Sequence, residues 1–494
     1  MSLDEREVRI HKYNELKNKG INPYPCTTSR THTTAECLAV FDEFLENQQS
    51  ITLAGRIKTI RRHGGSTFLT LEDGSGTLQI LLRKDDVGDE LYQVFQDYYD
   101  PGDFLESTGV AFITKTGEKT LHASSFSMLS KALLPLPDKW HGLQDIELRY
   151  RHRELDLIAS PVTRTHFVTR SKLISSLRRM LDEKGFLEVE TPILQSIPGG
   201  ANARPFITHH NALDTDLYLR IAPELYLKRL IVGGFERVYE IGRLFRNEGI
   251  DHAHNPEFTT IELYWAFVPN KEVFCGFLED IMRTIIQDAS GSLQVPYEDR
   301  TIDFGKDWPQ KTFRQAVLDA SGIDIDAFTD EKEFVKAVEV KGLAIDFSNC
   351  VGLGEHFDQL YKKTARPAIH QPTWIFDYPL ELKPLAKACP NDLQKSASLQ
   401  LIVEGEEIIN AYYYELNDPL DQRTRFIQQE ALRERGSMEA QFLDEDFLFA
   451  LEHGMPPTSG MGMGIDRLVG LITNNKNVKD TILFPTLKPK KSSE

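Results

Sequence analysis

The stretch 240–265 constrains the fold of this chain most. In this stretch, two apolar segments flank a long polar loop. Leu244 and Phe245 close the first segment, and apolar and polar residues alternate over 258–264. Alternation of this kind is typical of a half-buried strand, so the stretch predicts an antiparallel hairpin with a functional loop. An ordinary surface hairpin with solvated charges is the alternative interpretation.

The hairpin carries four side chains suited to binding a nucleotide, namely Arg246, Glu248, His254 and Phe258. An arginine can grip a phosphate through two parallel hydrogen bonds, and a carboxylate can accept from an exocyclic amine. An aromatic ring can stack on a purine. The sequence therefore predicts a purine nucleotide site without a phosphate loop, since no G-x-x-x-x-G-K-[ST] motif is present.

Length, charge and cysteine usage bound the class of protein. A chain of 494 residues should hold two or more domains. The formal net charge of −17 predicts that any RNA binding depends on local basic patches. Five cysteines without a C-x-x-C pair favour a reducing compartment, and no apolar run approaches the roughly 18 residues of a membrane span. We therefore expect a cytoplasmic protein without structural zinc.

The pattern along the chain predicts four parts. Residues 1–50 form a helical extension, and 51–130 form short alternating strands separated by glycine turns, which favours a small closed barrel of the OB-fold type. Residues 131–160 read as a connector with prolines and a basic run. Residues 161–494 form a second domain with a small helical insertion, in which a helix runs into an edge strand at 186–192. A second subunit could pair with that edge, although a monomer with a covered edge is equally consistent.

Two groups of side chains could carry further chemistry. Glu224, Glu262 and Glu415 could hold a cationic substrate. Glu407 with Glu404 or Glu406 could hold Mg²⁺, although isolated acids are more often surface residues. The glycines of 460–464 would let a nucleotide approach the backbone and lead into an apolar helix.

Three segments resemble the signature segments of the class II aminoacyl-tRNA synthetases, and more narrowly of the lysyl group: 187–206, 220–265 and 456–469. The likeness extends over about 5–489, and the aspartyl and asparaginyl subgroup is the nearest alternative. The resemblance implies an α+β protein, with an N-terminal OB-fold barrel that binds the anticodon and an antiparallel catalytic sheet flanked by helices. It also implies a homodimer formed through the segment that ends at Pro192.

The implied reaction is the ATP-dependent activation of L-lysine and its transfer to tRNA(Lys), with Mg²⁺ as cofactor. By resemblance, Arg246 and Arg467 are catalytic, and the ATP-binding residues are Arg246, Glu248, His254, Asn255, Phe258 and Arg467. The lysine-binding residues are Gly200, Ala201, Glu224, Glu262, Tyr264, Asn410, Tyr412 and Glu415. The anticodon-binding residues are Arg61, Phe68, Gln79 and Glu118, where Phe68 could equally be a barrel core residue.

Two departures from the family pattern concern the metal and the lysine pocket. Glu407 matches one magnesium ligand, but Gln400 stands where the family usually has a second glutamate, and an amide binds Mg²⁺ less well. The segment 410–418 is one residue longer than usual, which leaves open which of Tyr412, Tyr413 and Tyr414 faces the substrate. A relative that forms the adenylate without charging tRNA, or an inactive RNA-binding protein of the same fold, would be the alternatives.

Overall fold

The computed structural model describes residues 3–136, 143, 145–201, 203–437 and 440–489. Contacts divide the chain into an N-terminal unit, residues 1–144 with 154–159, and a C-terminal unit, residues 145–153 with 160–494. In the described ranges, no helix has the length and apolar character that crossing a membrane requires.

The N-terminal unit is built around a closed five-stranded barrel. Its strands are β1 (Ile51–His63), β2 (Ser66–Glu72), β3 (Thr77–Arg83), β4 (Phe104–Ile113) and β5 (Lys119–Ser130), in the order β1-β2-β3-β5-β4. Its helices are α1 (Leu3–Asn18), α2 (Thr34–Ala39), α3 (Phe41–Asn47), α4 (Lys84–Val87) and α5 (Asp89–Tyr98). Buried and half-buried residues alternate strictly along β2, so Leu69 and Leu71 enter the core while their neighbours face outward. The predicted OB-fold barrel is confirmed.

Two short helices follow in the chain, α6 (Ile146–Arg151) and α7 (Arg153–Ala159). Residues 145–153 group with the C-terminal unit and 154–159 with the N-terminal unit. Part of the predicted connector, residues 137–142 and 144, lies outside the described residues. The predicted limits of the four parts therefore stay predictions.

The C-terminal unit combines helices with an eight-stranded sheet. Its helices are α8 (Pro161–Glu183), α9 (Glu224–Val232), α10 (Lys271–Ser290), α11 (Phe313–Ser321), α12 (Glu331–Val340), α13 (Leu353–Thr364), α14 (Pro419–Glu434), α15 (Glu445–Glu452) and α16 (Ile465–Ile472). The strands are β6 (Leu187–Glu188), β7 (Leu194–Gln195), β8 (Ile207–His210), β9 (Thr215–Leu219), β10 (Arg237–Phe245), β11 (Glu257–Ala266), β12 (Gln294–Tyr297), β13 (Arg300–Asp303), β14 (Gln310–Thr312), β15 (Thr373–Phe376), β16 (Ala388–Cys389), β17 (Asp392–Ser396), β18 (Ser398–Val403), β19 (Glu406–Tyr412) and β20 (Thr458–Gly464).

The large sheet has the order β14-β15-β18-β19-β20-β11-β10-β6. Its pairings are antiparallel except at the two edges, where β14 runs parallel to β15 and β6 parallel to β10. The predicted hairpin is β10 and β11, which pair Glu240 with Glu262 and Leu244 with Phe258. The predicted antiparallel sheet flanked by helices is therefore confirmed.

Helices pack on both faces of this sheet, and one face also carries a group of polar side chains. Ile261 and Leu263 of β11 enter an apolar core with α8 and α10, represented by Leu177 and Leu278. Because side chains alternate along a strand, Glu262 lies on the opposite face from that core. We call this opposite face the polar face; at its margin Val238 of β10 packs against helix α9.

One predicted element differs from the observed one, and another is confirmed. The edge strand predicted over 186–192 is only the two-residue β6, since the chain leaves the sheet before Pro192. The glycines of 460–464 lead into a helix as predicted: they end strand β20, and Gly464 is the N-cap residue of α16. A strand between two neighbours tolerates these glycines because adjacent side chains fill the space that they leave.

Candidate active site

A row of residues directly opposite one another crosses four strands on the polar face of the sheet. Glu262 of β11 pairs with Gly462 of β20, Gly462 pairs with Asn410 of β19, and Asn410 pairs with Gln400 of β18. Paired residues of an antiparallel sheet share a face. Strand register therefore brings together residues that are up to 200 positions apart in the chain, as Glu262 and Gly462 are.

A cavity of about 380 Å³ opens above this row. Every residue predicted to bind ATP or lysine lines it, together with Glu407: Gly200, Ala201, Glu224, Arg246, Glu248, His254, Asn255, Phe258, Glu262, Tyr264, Glu407, Asn410, Tyr412, Glu415 and Arg467. Its volume is in the range typical of small-molecule sites. Gln400 is not among the lining residues; it is buried beneath them and donates to Asn410 Oδ1 at 3.2 Å.

Three buried carboxylates form one end of the cavity. Glu224, Glu262 and Glu415 are each less than a tenth exposed, and Tyr264 OH lies 3.4 Å from Glu262 Oε2. The fully buried Lys228 lies between two of them, 2.7 Å from Glu224 and 2.6 Å from Glu415. Helix α9 produces this arrangement, because residues i and i+4 lie on the same helical face.

Electrostatics distinguish the third carboxylate from the other two. Burial would lower the pKa of Lys228, but Glu224 and Glu415 outweigh it and the pKa is raised, so this lysine stays charged. Burial raises the pKa of Glu262 well above its usual range, and the nearby Glu224 raises it further. Arg246 and Arg220 oppose that shift without reversing it. Burial also raises the pKa of Glu415, to about 8, although Lys228 opposes that shift. Among the described residues Glu262 has no such lysine partner, so it is the carboxylate left for a bound cation.

Two arginines form the opposite end of the cavity. The Arg246 guanidinium lies 5.1 Å from the centre of the Phe258 ring, and its Nε is buried without a hydrogen-bond partner among the described residues. Burial lowers the pKa of Arg246, and the neighbouring charge of Arg467 lowers it further. Arg467, in the first turn of α16, donates to the Glu407 carbonyl oxygen at 3.2 Å. Two cations that share a cavity and keep an unused donor are suited to a phosphate.

The rest of the hairpin loop is held by its own hydrogen bonds. Asp251 contacts His254 Nδ1 at 3.0 Å, and Asn255 donates to the Glu257 carbonyl oxygen at 2.6 Å. Asn255 also accepts from the Thr486 amide at 3.2 Å. These bonds fix the loop backbone, so the cavity-lining side chains are held without a bound ligand.

Glycines make room for the carboxylates. A Cβ on Gly460 would collide with Glu415 and the Tyr264 ring, and one on Gly462 would come 3.6 Å from Glu262. Gly200 has φ +85°, and a Cβ there would lie 2.9 Å from that of Glu224. Gly460 thus accommodates the acidic cluster, and Gly460, Gly462 and Gly464 all line the cavity. The close approach of a nucleotide to these glycines stays a prediction.

The extra residue after Asn410 is absorbed at a bend. Strand β19 ends at Tyr412, which lines the cavity. Tyr413 turns away into the core and donates to Asp377 Oδ1 at 2.8 Å, and Glu415 returns to pair with the Thr458 carbonyl oxygen. Of the three tyrosines, Tyr412 is therefore the one that faces the cavity.

The residues predicted for a metal only partly come together. Glu407 lines the cavity, but Glu404 contacts His370 at 3.2 Å and Glu406 lies 3.6 Å from Arg366, outside it. In the parts of the chain that the structure describes, no three acidic, histidine or cysteine side chains form a metal cluster. One Mg²⁺ bound by Glu407 and substrate phosphates fits these residues, since this ion usually takes one or two carboxylates. A metal that needs Gln400 as a ligand does not fit, because Gln400 Oε1 already accepts a hydrogen bond from Tyr378 OH at 2.6 Å.

A second concave surface lies on the barrel. Arg61, Phe68, Gln79 and Glu118 all line it, and Arg61 donates to Gln79 Oε1 at 2.9 Å. Phe68 is half-buried and contacts His63 edge-on at 6.2 Å between ring centres. Phe68 is therefore not enclosed in the barrel core, and the four predicted residues form one surface.

Sequence reasoning missed two lysines of the site. Lys228 could have been found, because it follows Glu224 by four residues in a predicted helix. Lys383 directly follows the short 3₁₀ helix Leu380–Leu382 and reaches Asn410 Oδ1 at 2.7 Å. Burial lowers the pKa of Lys383, an effect that Glu407 opposes. No local pattern in the sequence marks it.

Comparisons with known proteins agree with this architecture. Residues 145–488 match the family model of class II tRNA synthetases (D, K and N), and residues 51–129 match that of OB-fold nucleic acid binding domains. The chain is 48% identical to a lysine–tRNA ligase of Pelotomaculum thermopropionicum, over 98% of its own length and 94% of the relative's. It is 46% identical to lysine–tRNA ligases of Roseiflexus sp. strain RS-1 and of Bacillus subtilis strain 168. These matches cover 99% and 98% of this chain, and 100% and 97% of the two relatives.

The eight-stranded sheet, the barrel, and the cavity lined by an acidic cluster and two arginines are those of a class II aminoacyl-tRNA synthetase. With relatives this similar over nearly the whole chain, the protein belongs to that class and, within it, to the lysine–tRNA ligase family.

Proposed function

We propose that this protein activates L-lysine with ATP and transfers the lysyl group to the 3′ end of tRNA(Lys). The observation that carries the proposal is the charge of the cavity's acidic end. Three carboxylates face a single lysine of the protein, Lys228, which leaves two negative charges uncompensated when all are ionised. Free lysine brings two ammonium groups, whereas aspartate or asparagine would bring one and would demand a different partner for its side chain.

The first step requires positioned charge rather than a general base. A lysine carboxylate is already ionised near pH 7, so its oxygen can attack the α-phosphorus directly. The new bond joins that oxygen to phosphorus, the bond to the bridging oxygen breaks, and pyrophosphate leaves with the electron pair. Negative charge develops on the phosphoryl oxygens, where Arg246 with its unused Nε, together with Arg467, would stabilise it.

The remaining nucleotide contacts follow from the same cavity. Glu248 would accept from the adenine amine, Phe258 would stack on the ring, and His254 and Asn255 would line the nucleotide. Mg²⁺ held by Glu407 and the phosphates would neutralise charge on the triphosphate. In the second step a terminal ribose hydroxyl attacks the carbonyl carbon of lysyl-adenylate and its proton passes to a phosphate oxygen. The bond between the carbonyl carbon and the AMP oxygen breaks, and AMP leaves with the electron pair.

The barrel surface would select the tRNA. A half-buried aromatic ring beside arginine, amide and carboxylate groups can stack a base and read its edges. We assign Arg61, Phe68, Gln79 and Glu118 to binding of the anticodon. We expect the reaction to take place in the cytoplasm.

A homodimer is the assembly we propose. Apolar side chains around the segment ending at Pro192 are exposed, including Leu187 at 47%, Ile193 at 46% and Leu194 at 46%. Such a concentration of exposed apolar residues marks an interaction surface. Sedimentation equilibrium should give twice the 56.3 kDa chain mass, and a monomer at micromolar concentration would refute this assignment.

The test of the function is ATP–pyrophosphate exchange with each amino acid, followed by charging of tRNA(Lys). Exchange should depend on lysine, and ornithine, one methylene shorter, should be discriminated by only about 10–200-fold. Exchange with aspartate or asparagine but not lysine would overturn the proposal. Exchange without charging of any tRNA would favour an adenylate-forming relative.

A further inference from the structure

A chain of hydrogen bonds at the cavity wall that carries Glu407 and Asn410 contains a lysine. Tyr378 OH donates to Gln400 Oε1 at 2.6 Å, and Gln400 Nε2 donates to Asn410 Oδ1 at 3.2 Å. Lys383 Nζ donates to the same Asn410 oxygen at 2.7 Å, and it lies 5.0 Å from the centre of the Tyr378 ring. Lys383 therefore has a fixed place at the cavity wall.

The surrounding oxygens are neutral and already engaged. A carbonyl oxygen accepts two hydrogen bonds, and Asn410 Oδ1 has both in Gln400 and Lys383. A divalent ion prefers anionic oxygens, of which Glu407 is the one on this wall. An amide pair that already receives an ammonium is therefore a poor second metal site.

The other lysine on this wall is engaged elsewhere. Lys362 Nζ lies 2.6 Å from Asp358, so its charge is compensated by a carboxylate. Lys383 has no ion pair within 4.0 Å among the described residues, and its ammonium donates to the neutral oxygen of Asn410. Its positive charge is therefore available to an anion in the cavity.

We propose that the ammonium of Lys383 serves as a fixed cation for the phosphates of ATP, in the position where a second divalent ion would otherwise be needed. The inference rests on the proposed function, because it assumes that the cavity binds ATP. The inference adds Lys383 as a substrate-binding residue. It predicts that nucleotide binding depends less on metal here than in a site where two carboxylates hold the metal. A fixed ammonium also needs no reorganisation when pyrophosphate leaves.

The experiment measures binding of a non-hydrolysable ATP analogue by titration calorimetry in EDTA. The full-length protein should bind the analogue without metal, and Lys383→Met should bind it at least tenfold more weakly. Lys387→Met is the matched control, because Lys387 is exposed, contacts Asn417 at 2.8 Å and does not line the cavity. Far-ultraviolet circular dichroism and guanidinium unfolding, measured on the same samples, report whether Lys383→Met is folded.

Two further variants keep the test decisive if Lys383→Met fails to fold. Lys383→Arg should retain metal-free nucleotide binding within a few-fold, and Lys383→Gln should lose it. The double variant Lys383→Met with Gln400→Glu should bind one more Mn²⁺ per chain than the unaltered protein, counted by electron paramagnetic resonance with the analogue present.

Equal analogue affinity in EDTA for the unaltered protein, Lys383→Met and Lys383→Gln would overturn the inference. An unchanged Mn²⁺ count in the double variant would overturn it as well. These outcomes are distinguishable from failure of the proposed function, in which the unaltered protein shows no lysine-dependent exchange.

Discussion

Replacing Lys228 with methionine should destabilise the C-terminal unit strongly. Lys228 is fully buried and is the cation within 3 Å of both Glu224 and Glu415. Breaking a buried ion pair costs about 3–5 kcal/mol, because the remaining charge is left desolvated and unpaired. Here two carboxylates lose the same partner, so we expect the upper part of that range at pH 8.

The loss should depend on pH in a defined direction. Without Lys228, the folded-state pKa of Glu415 lies further above its unfolded value, since burial and repulsion by Glu224 disfavour the charged form and Lys228 no longer opposes them. Stability of the variant is then greatest below the unfolded carboxyl pKa and falls as pH rises. The difference from the unaltered protein should therefore shrink between pH 8 and pH 5.

Guanidinium unfolding followed by tryptophan fluorescence measures this difference. Trp265, Trp308 and Trp374 all belong to the C-terminal unit. Lys336→Met removes an exposed lysine of helix α12 as a control and should change stability by less than about 0.5 kcal/mol. Adding Glu415→Gln to Lys228→Met should recover part of the loss. If Lys228→Met unfolds at the control's guanidinium concentration at pH 8, the two ion pairs do not contribute as argued.

Four further predictions concern the substrate sites. Glu262→Gln should weaken lysine binding by roughly 10–150-fold, the value of a hydrogen bond to a charged group, as seen in the KM for lysine in exchange assays. Lysine binding should release protons near neutral pH, because burial raises the pKa of Glu262 and a bound ammonium lowers that pKa. Calorimetry in buffers of different ionisation enthalpy measures the proton release, and a binding enthalpy that does not depend on the buffer would contradict the prediction. Gly460→Ala should cost about 1–3 kcal/mol of stability and weaken lysine binding, whereas Gly276→Ala, in open space on α10, should cost nothing. Phe68→Ala should weaken tRNA binding by about 1–3 kcal/mol while leaving pyrophosphate exchange unchanged, and equal loss of both would refute a separate tRNA surface.

Much of the fold could be predicted because its patterns are local. Alternation over 258–264 predicted β11, and glycine turns between short strands predicted the barrel. The edge strand at 186–192 was overestimated because β-branched and apolar residues suit a strand whether or not a partner is present. The glycines of β20 lead into α16 as predicted, but the sequence could not show that Glu415 and Tyr264 occupy the side-chain space beside Gly460, because only the fold brings those residues there.

The composition of the site was predictable, but its electrostatics were not. Motif resemblance identified the acids of the cavity, whereas their ionisation depends on which of them shares Lys228. That pairing joins α9 to the bend after β19, across 187 residues, and no short-range rule connects the two positions. Long-range register, set by the order of strands in the sheet, therefore decides which acid remains for the substrate.

The two lysines that the sequence did not reveal give the cavity its polarity. Lys228 neutralises part of the acidic end and leaves Glu262 to a cationic substrate, while Lys383 adds positive charge to the wall that carries Glu407. A substrate with a positive side chain and a carboxylate next to a triphosphate would experience opposite potentials at the two ends, which orients it before reaction. Reversing the charge at Lys228 or Lys383 should therefore impair the orientation of the substrate more than its affinity, because the substrate would still bind to the unchanged end of the cavity. Lys383→Glu should accordingly lower kcat for exchange by a larger factor than it raises the KM for lysine, and the reverse ratio would show that Lys383 acts on lysine binding instead.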